Sequence, residues 1–235
     1  MGTTARGEGT VRRTRASRLS LLFLVVTVCG AAQSSAQDAP APATLRPSQN
    51  AGAAEEETGR GERVAKFLLG AAAGLGLHEG SHLVFDAAFD VRPTLKKVDF
   101  AGIPFFAITH PAGLPRREEF TISSAGFWMQ HASSEIVLTR HPRLRHERAP
   151  TLKGLLAFNV LASVAYASAA MVKAGPVERD TRAMAASLGV NEPWVGALVL
   201  VPAGLDAWRY LRPEARWARW LSRGVKVGSV LLVIR

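Results

Sequence analysis

The sequence predicts a mainly α protein: a polytopic membrane helical bundle carrying one small β-hairpin. Three observations lead there. Uncharged apolar runs recur along the chain beside basic residues, and glycines repeat at a spacing of four in the first core run. One short stretch also places strand-type residues on both sides of a glycine. A length of 235 residues suits one such domain plus a targeting segment.

Residues 1–36 read as a signal peptide or signal anchor. Arg12, Arg13, Arg15 and Arg18 precede an apolar run from Leu19 to Val28, and small residues follow around Ser34-Ser35-Ala36. Residues 37–62 are Ala, Pro, Gly and Glu with almost nothing apolar to bury, the composition of a flexible linker. Residues 63–235 form the membrane-embedded domain. The single cysteine, Cys29, cannot form an intramolecular disulfide.

Within that domain Val64–Phe89 is a long helix, stopped by Pro93. Gly70 and Gly74, then Gly76 and Gly80, allow a neighbouring helix to approach closely. Lys97–Thr109 is the hairpin, turning at Gly102, with Pro104 confining its second strand to an edge. Phe120–Leu138 is apolar on balance but carries Gln130, His131 and Glu135, so it suits a re-entrant or buried helix better than a span. Gly154–Val172 is uncharged between Lys153 and Lys173, the clearest span. Pro176–Asn191 is a polar connection with room for a short helix. Trp194–Tyr210 is apolar up to Leu205 and ends on Asp206, bracketed by aromatic rings. Val225–Ile234 is too short to span and suits a strand or a surface helix. His110, His141 and His146 fall in loops.

The formal charge of +10 invites a nucleic-acid partner, but the basic residues flank apolar stretches. Arg140–Lys153 and Arg209–Lys226 fit headgroup contact and membrane orientation, and no nucleic-acid-binding signature accompanies them. Membrane lipid is the expected partner, and nucleic acid is not.

His78-Glu79-Gly80-Ser81-His82 is the motif that carries chemistry. Positions four apart share a helix face, so His78 and His82 can present two imidazoles to one cation. Glu79 can reach an attacking water without being a ligand, the role of a general base in a zinc hydrolase. A third protein ligand is needed. Asp206 is one candidate, because an ionisable residue at the end of an apolar segment is costly unless it is functional or paired, and Arg209 could pair it. Glu135 is the alternative. Asp86 and His131 each stand four residues from a candidate ligand and could orient it.

An HExxH ending a first core helix, a hairpin after it, Ser124-Ala125-Gly126 in a second helix and Val201-Pro202-Ala203-Gly204-Leu205-Asp206 in a late one together resemble the site-2 protease family of intramembrane zinc metalloproteases. The resemblance runs over about residues 64–212. It implies His78, His82 and Asp206 as zinc ligands, Glu79 as catalytic base, and a membrane-protein or peptide substrate. Ala207 stands where that family has a glycine after the aspartate, and Phe127 where a proline usually follows the glycine.

The expectation is a zinc metallopeptidase of a bacterial-type inner (cytoplasmic) membrane, its N-terminal linker on the extracytoplasmic side. Two other classes stay open. One is a non-proteolytic metal-binding membrane protein using His78, His82, His131 and Glu135. The other is an accessory membrane protein in which the motif is incidental.

Overall fold

The computed structural model describes residues 49–100, 103–111 and 113–234. The expected signal segment, and the linker up to residue 48, lie outside them. Helices dominate: α1 (Gln49–Ala88), α2 (Arg116–Arg140), α3 (Pro150–Val172), α4 (Asp180–Leu188), α5 (Glu192–Leu211) and α6 (Arg216–Ile234). Strands β1 (Thr94–Phe100) and β2 (Ile103–Thr109) pair antiparallel, from Thr94 opposite Thr109 to Phe100 opposite Ile103. The mainly α class and the hairpin are as the sequence reads.

Helix α1 begins fourteen residues before Arg63, inside the stretch whose composition reads as linker. The glutamates and alanines of residues 53–57 are good helix formers, so they extend α1 although they have little to bury. Further on, Gly70 meets the α3 backbone and Gly74 meets the Phe158 ring of the same helix. A Cβ on Gly70 would lie 1.9 Å from the Thr151 carbonyl oxygen, and one on Gly154 would lie 1.9 Å from that of Phe67. Gly76 and Gly80 face open space, so only the first glycine pair makes the close approach.

Helix α2 is the interior element, with every residue from Phe120 to Phe127 buried. Its Phe120 and Phe127 join Met184, Ala185, Val195 and Val199 in the main apolar cluster, which ties α4 and α5 to α2. A second cluster of Val137, Leu138, Leu144 and Leu156 closes the other end of α2 against α3. This placement explains how α2 can carry so many polar side chains: protein, not lipid, surrounds them.

Among the described residues, α3 alone is long and apolar enough to cross a membrane, and α4 with α5 passes the same test as one span bent by 118°. The bend is held by polar contacts. Arg179 binds Glu192 through two nitrogens, both at 2.6 Å, and Thr181 donates to the same carboxylate at 2.9 Å. Charged groups forked in this way are strong, directional links.

The chain's last helix is longer than its apolar tail predicts, because Arg216–Arg223 is helical too. Its polarity is inverted. Ala218, Ser222, Lys226 and Ser229 face the protein, whereas Trp217, Trp220, Leu221, Val227 and Leu231 are exposed. Read from composition alone, the segment hides this, because the sorting appears only once Lys226 is given an internal partner.

Candidate metal centre

The long helix brings His78 and His82 to one face, as their spacing requires, with ring centroids 5.1 Å apart. Both are nearly fully buried. His82 Nδ1 lies 2.7 Å from the Ile122 carbonyl oxygen, so Nδ1–H donates there and Nε2 keeps its lone pair. A histidine held by a backbone carbonyl in this way is oriented as metal-ligating imidazoles are. His78 is held by shape. Its ring stacks on Tyr166 at 5.7 Å and meets Phe127 edge-on at 5.5 Å. Gly126 leaves room for it, since a Cβ there would lie 2.3 Å from the ring.

The third group is Asp180. Its Oδ2 lies 3.3 Å from His78 Nε2 and 3.7 Å from His82 Nε2. These three side chains offer ligand atoms all within 4.8 Å of one another. Metal–ligand bonds of about 2.0–2.2 Å around one ion need separations of this size. Asp180 is fixed by its neighbours: Arg179 and Thr181 on either side both grip Glu192. Tyr166 interacts with the Asp180 carboxylate as well.

Asp206 therefore does not supply the third ligand expected of it. It is buried elsewhere, accepting from Lys226 Nζ at 2.7 Å and Ser222 Oγ at 3.0 Å, with Arg209 at 3.6 Å. Glu135, the alternative, is taken up by Arg209, by Arg223 at 2.9 Å and by Lys226 at 3.1 Å. Three cations and two carboxylates would be an expensive group to bury unpaired; together they satisfy one another. His131 is buried edge-on to Trp128 and stands outside the metal-ligand group. Asp86 does not hold His82, whose Nδ1 is already engaged; it lies beside His110.

Two cavities open on the group. One, of about 290 Å³, is lined by Glu79, His82, Tyr166 and Asp180, under Ala107 and Ile108 of β2. The other, of about 380 Å³, runs from His82 and Asp180 past Asp86 to His110 and Glu119. Glu79 thus has access to the space in front of the ligand atoms, and the hairpin forms a wall of it. Outside the helices, Glu178 is drawn below its ordinary range by the Lys96 ammonium 2.6 Å away, which ties the α3–α4 connection to the hairpin. His110 is raised above the usual imidazole range, chiefly by its hydrogen bond to Glu119. His110, expected as a loop histidine at the surface, is only 16% exposed at its side chain.

Sequence reasoning missed Asp180, Tyr166 and His110. Asp180 sits 102 residues from His78, in the polar connection, with no spacing that links it to the motif. The one available hint was that Glu178 and Asp180 lie within eight residues of the end of the clearest apolar helix.

No protein-family model, curated protein or solved structure matches the chain.

Proposed function

We propose that the chain is a membrane-embedded zinc metallopeptidase whose metal ligands are His78, His82 and Asp180. The observation that carries this reading is the convergence of two imidazole nitrogens and one carboxylate oxygen beside a cavity that Glu79 lines. The donor set fits a catalytic zinc: two histidines and one carboxylate leave a fourth position open. The anchored Nδ1 of His82, and the ring space that Gly126 gives to His78, fit it too.

A zinc ion there supplies Lewis acidity, lowering the pKa of a water and polarising a carbonyl. The chain's own residues do the rest. Glu79 accepts the proton of the attacking water and returns it to the leaving amine. Tyr166, whose phenol faces the same cavity, donates a hydrogen bond to oxygen that gains charge during the attack. The edge of β2 offers backbone groups to an extended peptide, which would lie along the cavity mouth by strand addition.

The membrane part of the proposal draws on α3 and on the outer face of α6. A helix that turns Ser222, Lys226 and Ser229 inward and Trp220 and Leu231 outward is arranged for lipid, not for water. Leu68 and Leu69 on α1 and Leu161 on α3, all more than half exposed, add apolar surface of their own. The polytopic bundle and a cytoplasmic-membrane location, N-terminal side outward, belong to this proposal. So does a membrane-protein or peptide substrate.

The experiment is zinc analysis of the purified full chain together with cleavage of a panel of single-span membrane proteins. Zinc retained in Glu79→Gln with cleavage lost supports the reading. A wild-type protein that holds zinc and cleaves no panel member, indistinguishable from Glu79→Gln, favours a metal-binding protein without peptidase activity. The absence of any bound transition metal leaves the accessory-protein reading.

A further inference from the structure

Helix α1 carries one more acidic residue beyond the motif, and its surroundings are unusual. Asp86 is fully buried, and neither of its carboxylate oxygens has a hydrogen-bond partner. Native proteins seldom leave a buried carboxylate unsatisfied, so a missing counterpart is implied. Asp86 lies on the 380 Å³ cavity. His110 stands across from it, with Nδ1 4.0 Å from Asp86 Oδ1, beyond hydrogen-bonding range.

The other ring nitrogen of His110 is committed. Nε2–H donates to Glu119 Oε2 at 2.9 Å, which leaves the Nδ1 lone pair directed to the Asp86 side. Glu119 is itself steadied by Ser123, whose Oγ approaches Oε1 at 3.5 Å. A carboxylate that fixes the tautomer of an imidazole, with the free nitrogen facing a second carboxylate, is the arrangement that prepares a histidine for a cation. A gap of 4.0 Å is too long for a direct bond and close to the spacing of two ligands on one ion.

From these contacts we infer that Asp86 and His110 form a second divalent-cation site, oriented by Glu119 and sharing a cavity with the His78, His82 and Asp180 group. One imidazole and one carboxylate suit a borderline transition cation such as Zn²⁺ or Mn²⁺, with the cavity side open to solvent or to a substrate oxygen. The inference needs neither peptidase activity nor metal at the first group.

The test is equilibrium dialysis of the full purified chain against Zn²⁺ alone, beside the variants Asp86→Asn, His110→Ala and His78→Ala. Two ions per chain are expected in the wild type and one in each variant. One ion in the wild type, lost in His78→Ala but kept in Asp86→Asn and His110→Ala, overturns the second site and leaves the first standing. One ion lost in Asp86→Asn and His110→Ala but kept in His78→Ala upholds the second site and removes the first. Thermal unfolding of the metal-free protein adds an independent reading. An unpartnered carboxylate contributes nothing to the metal-free fold, so Asp86→Asn should leave the midpoint unchanged or raise it. A clear fall shows instead that Asp86 is bonded within the protein, and overturns the inference.

Discussion

Two carboxylates, Asp180, 19% exposed at its side chain, and Asp206, fully buried, mark a candidate reactive end and a structural end of the molecule. Both stand against helices, and both are met by nitrogen donors. The difference lies in which nitrogens. Asp206 faces Lys226 and Arg209, an ammonium and a guanidinium with three and five N–H groups to give. Asp180 faces two imidazoles, whose Nε2 atoms can serve as lone-pair donors. A carboxylate among fixed cations is neutralised by the protein. Among imidazoles it still lacks a full positive charge, and a metal can provide it. Asp180 keeps some exposure where Asp206 keeps almost none, and the kind of neighbour, imidazole against ammonium and guanidinium, separates them further.

The widest separation between the two ends should come from activity. Glu79→Gln is expected to keep zinc and lower peptide cleavage by about 10²–10⁴-fold, the usual span for a lost general base. Cleavage at wild-type rate would detach the motif from the chemistry.

Exchanging the roles of the two aspartates tests the comparison itself. Asp180→Ala should weaken zinc binding on the order of 100-fold or more, since even indirect supports of a ligand are worth 10–100-fold. Asp206→Ala should leave zinc affinity nearly unchanged but destabilise the fold by about 3 kcal/mol, because the buried Lys226 loses the nearer of its two carboxylates and keeps only Glu135. Zinc titration and denaturant unfolding of the two variants give the answer. If Asp206→Ala releases the zinc and Asp180→Ala does not, the assignment is reversed.

The pH response should differ in the same sense. Imidazole must be neutral to bind metal, so zinc affinity should fall on acidification from about pH 8 to about pH 5, by up to tenfold per unit for each proton taken up. At the other end Asp206 is paired with Lys226, Arg209 and Ser222 and with no imidazole, and that pairing should hold through the range. Zinc affinity measured between pH 8 and pH 5 checks this.

The smallest effect concerns shape. Gly126→Ala places a methyl against the His78 ring, and α2 or the ring must give way. A loss of zinc affinity of roughly tenfold is expected, the lower end of the range for disturbing a ligand's support. Unchanged affinity would show that His78 is held more loosely than its stacking on Tyr166 indicates.

What the sequence conveyed well was periodic or local. The four-residue spacing placed His78 and His82 together, strand-type residues on both sides of Gly102 marked the hairpin, and uncharged length marked α3. What it hid was long-range pairing. Asp206 drew attention because a charge beside an apolar run needs a reason, and that reason is Lys226, twenty residues on in a helix not expected to begin at Arg216. Asp180 drew none, because an aspartate in a polar connection needs no explanation until the Arg179–Glu192 clamp folds it back. The resemblance to the site-2 protease family pointed to Asp206 as well, and the structure pairs that residue with Lys226 and Ser222.

The Gly70–Gly154 crossing has a consequence for how the site could be rebuilt. Contact between two backbones has no rotamer to adjust, so it indexes α1 both along its axis and about it. His78 follows Gly70 by eight residues, a run of about 12 Å, and its angular phase is set by that count. One residue inserted between Gly74 and His78 would turn both imidazoles by about 100° while the crossing stayed engaged. Scaffold and reactive end are therefore geared together by number of residues, and a change of length could silence the site in a protein that still assembles.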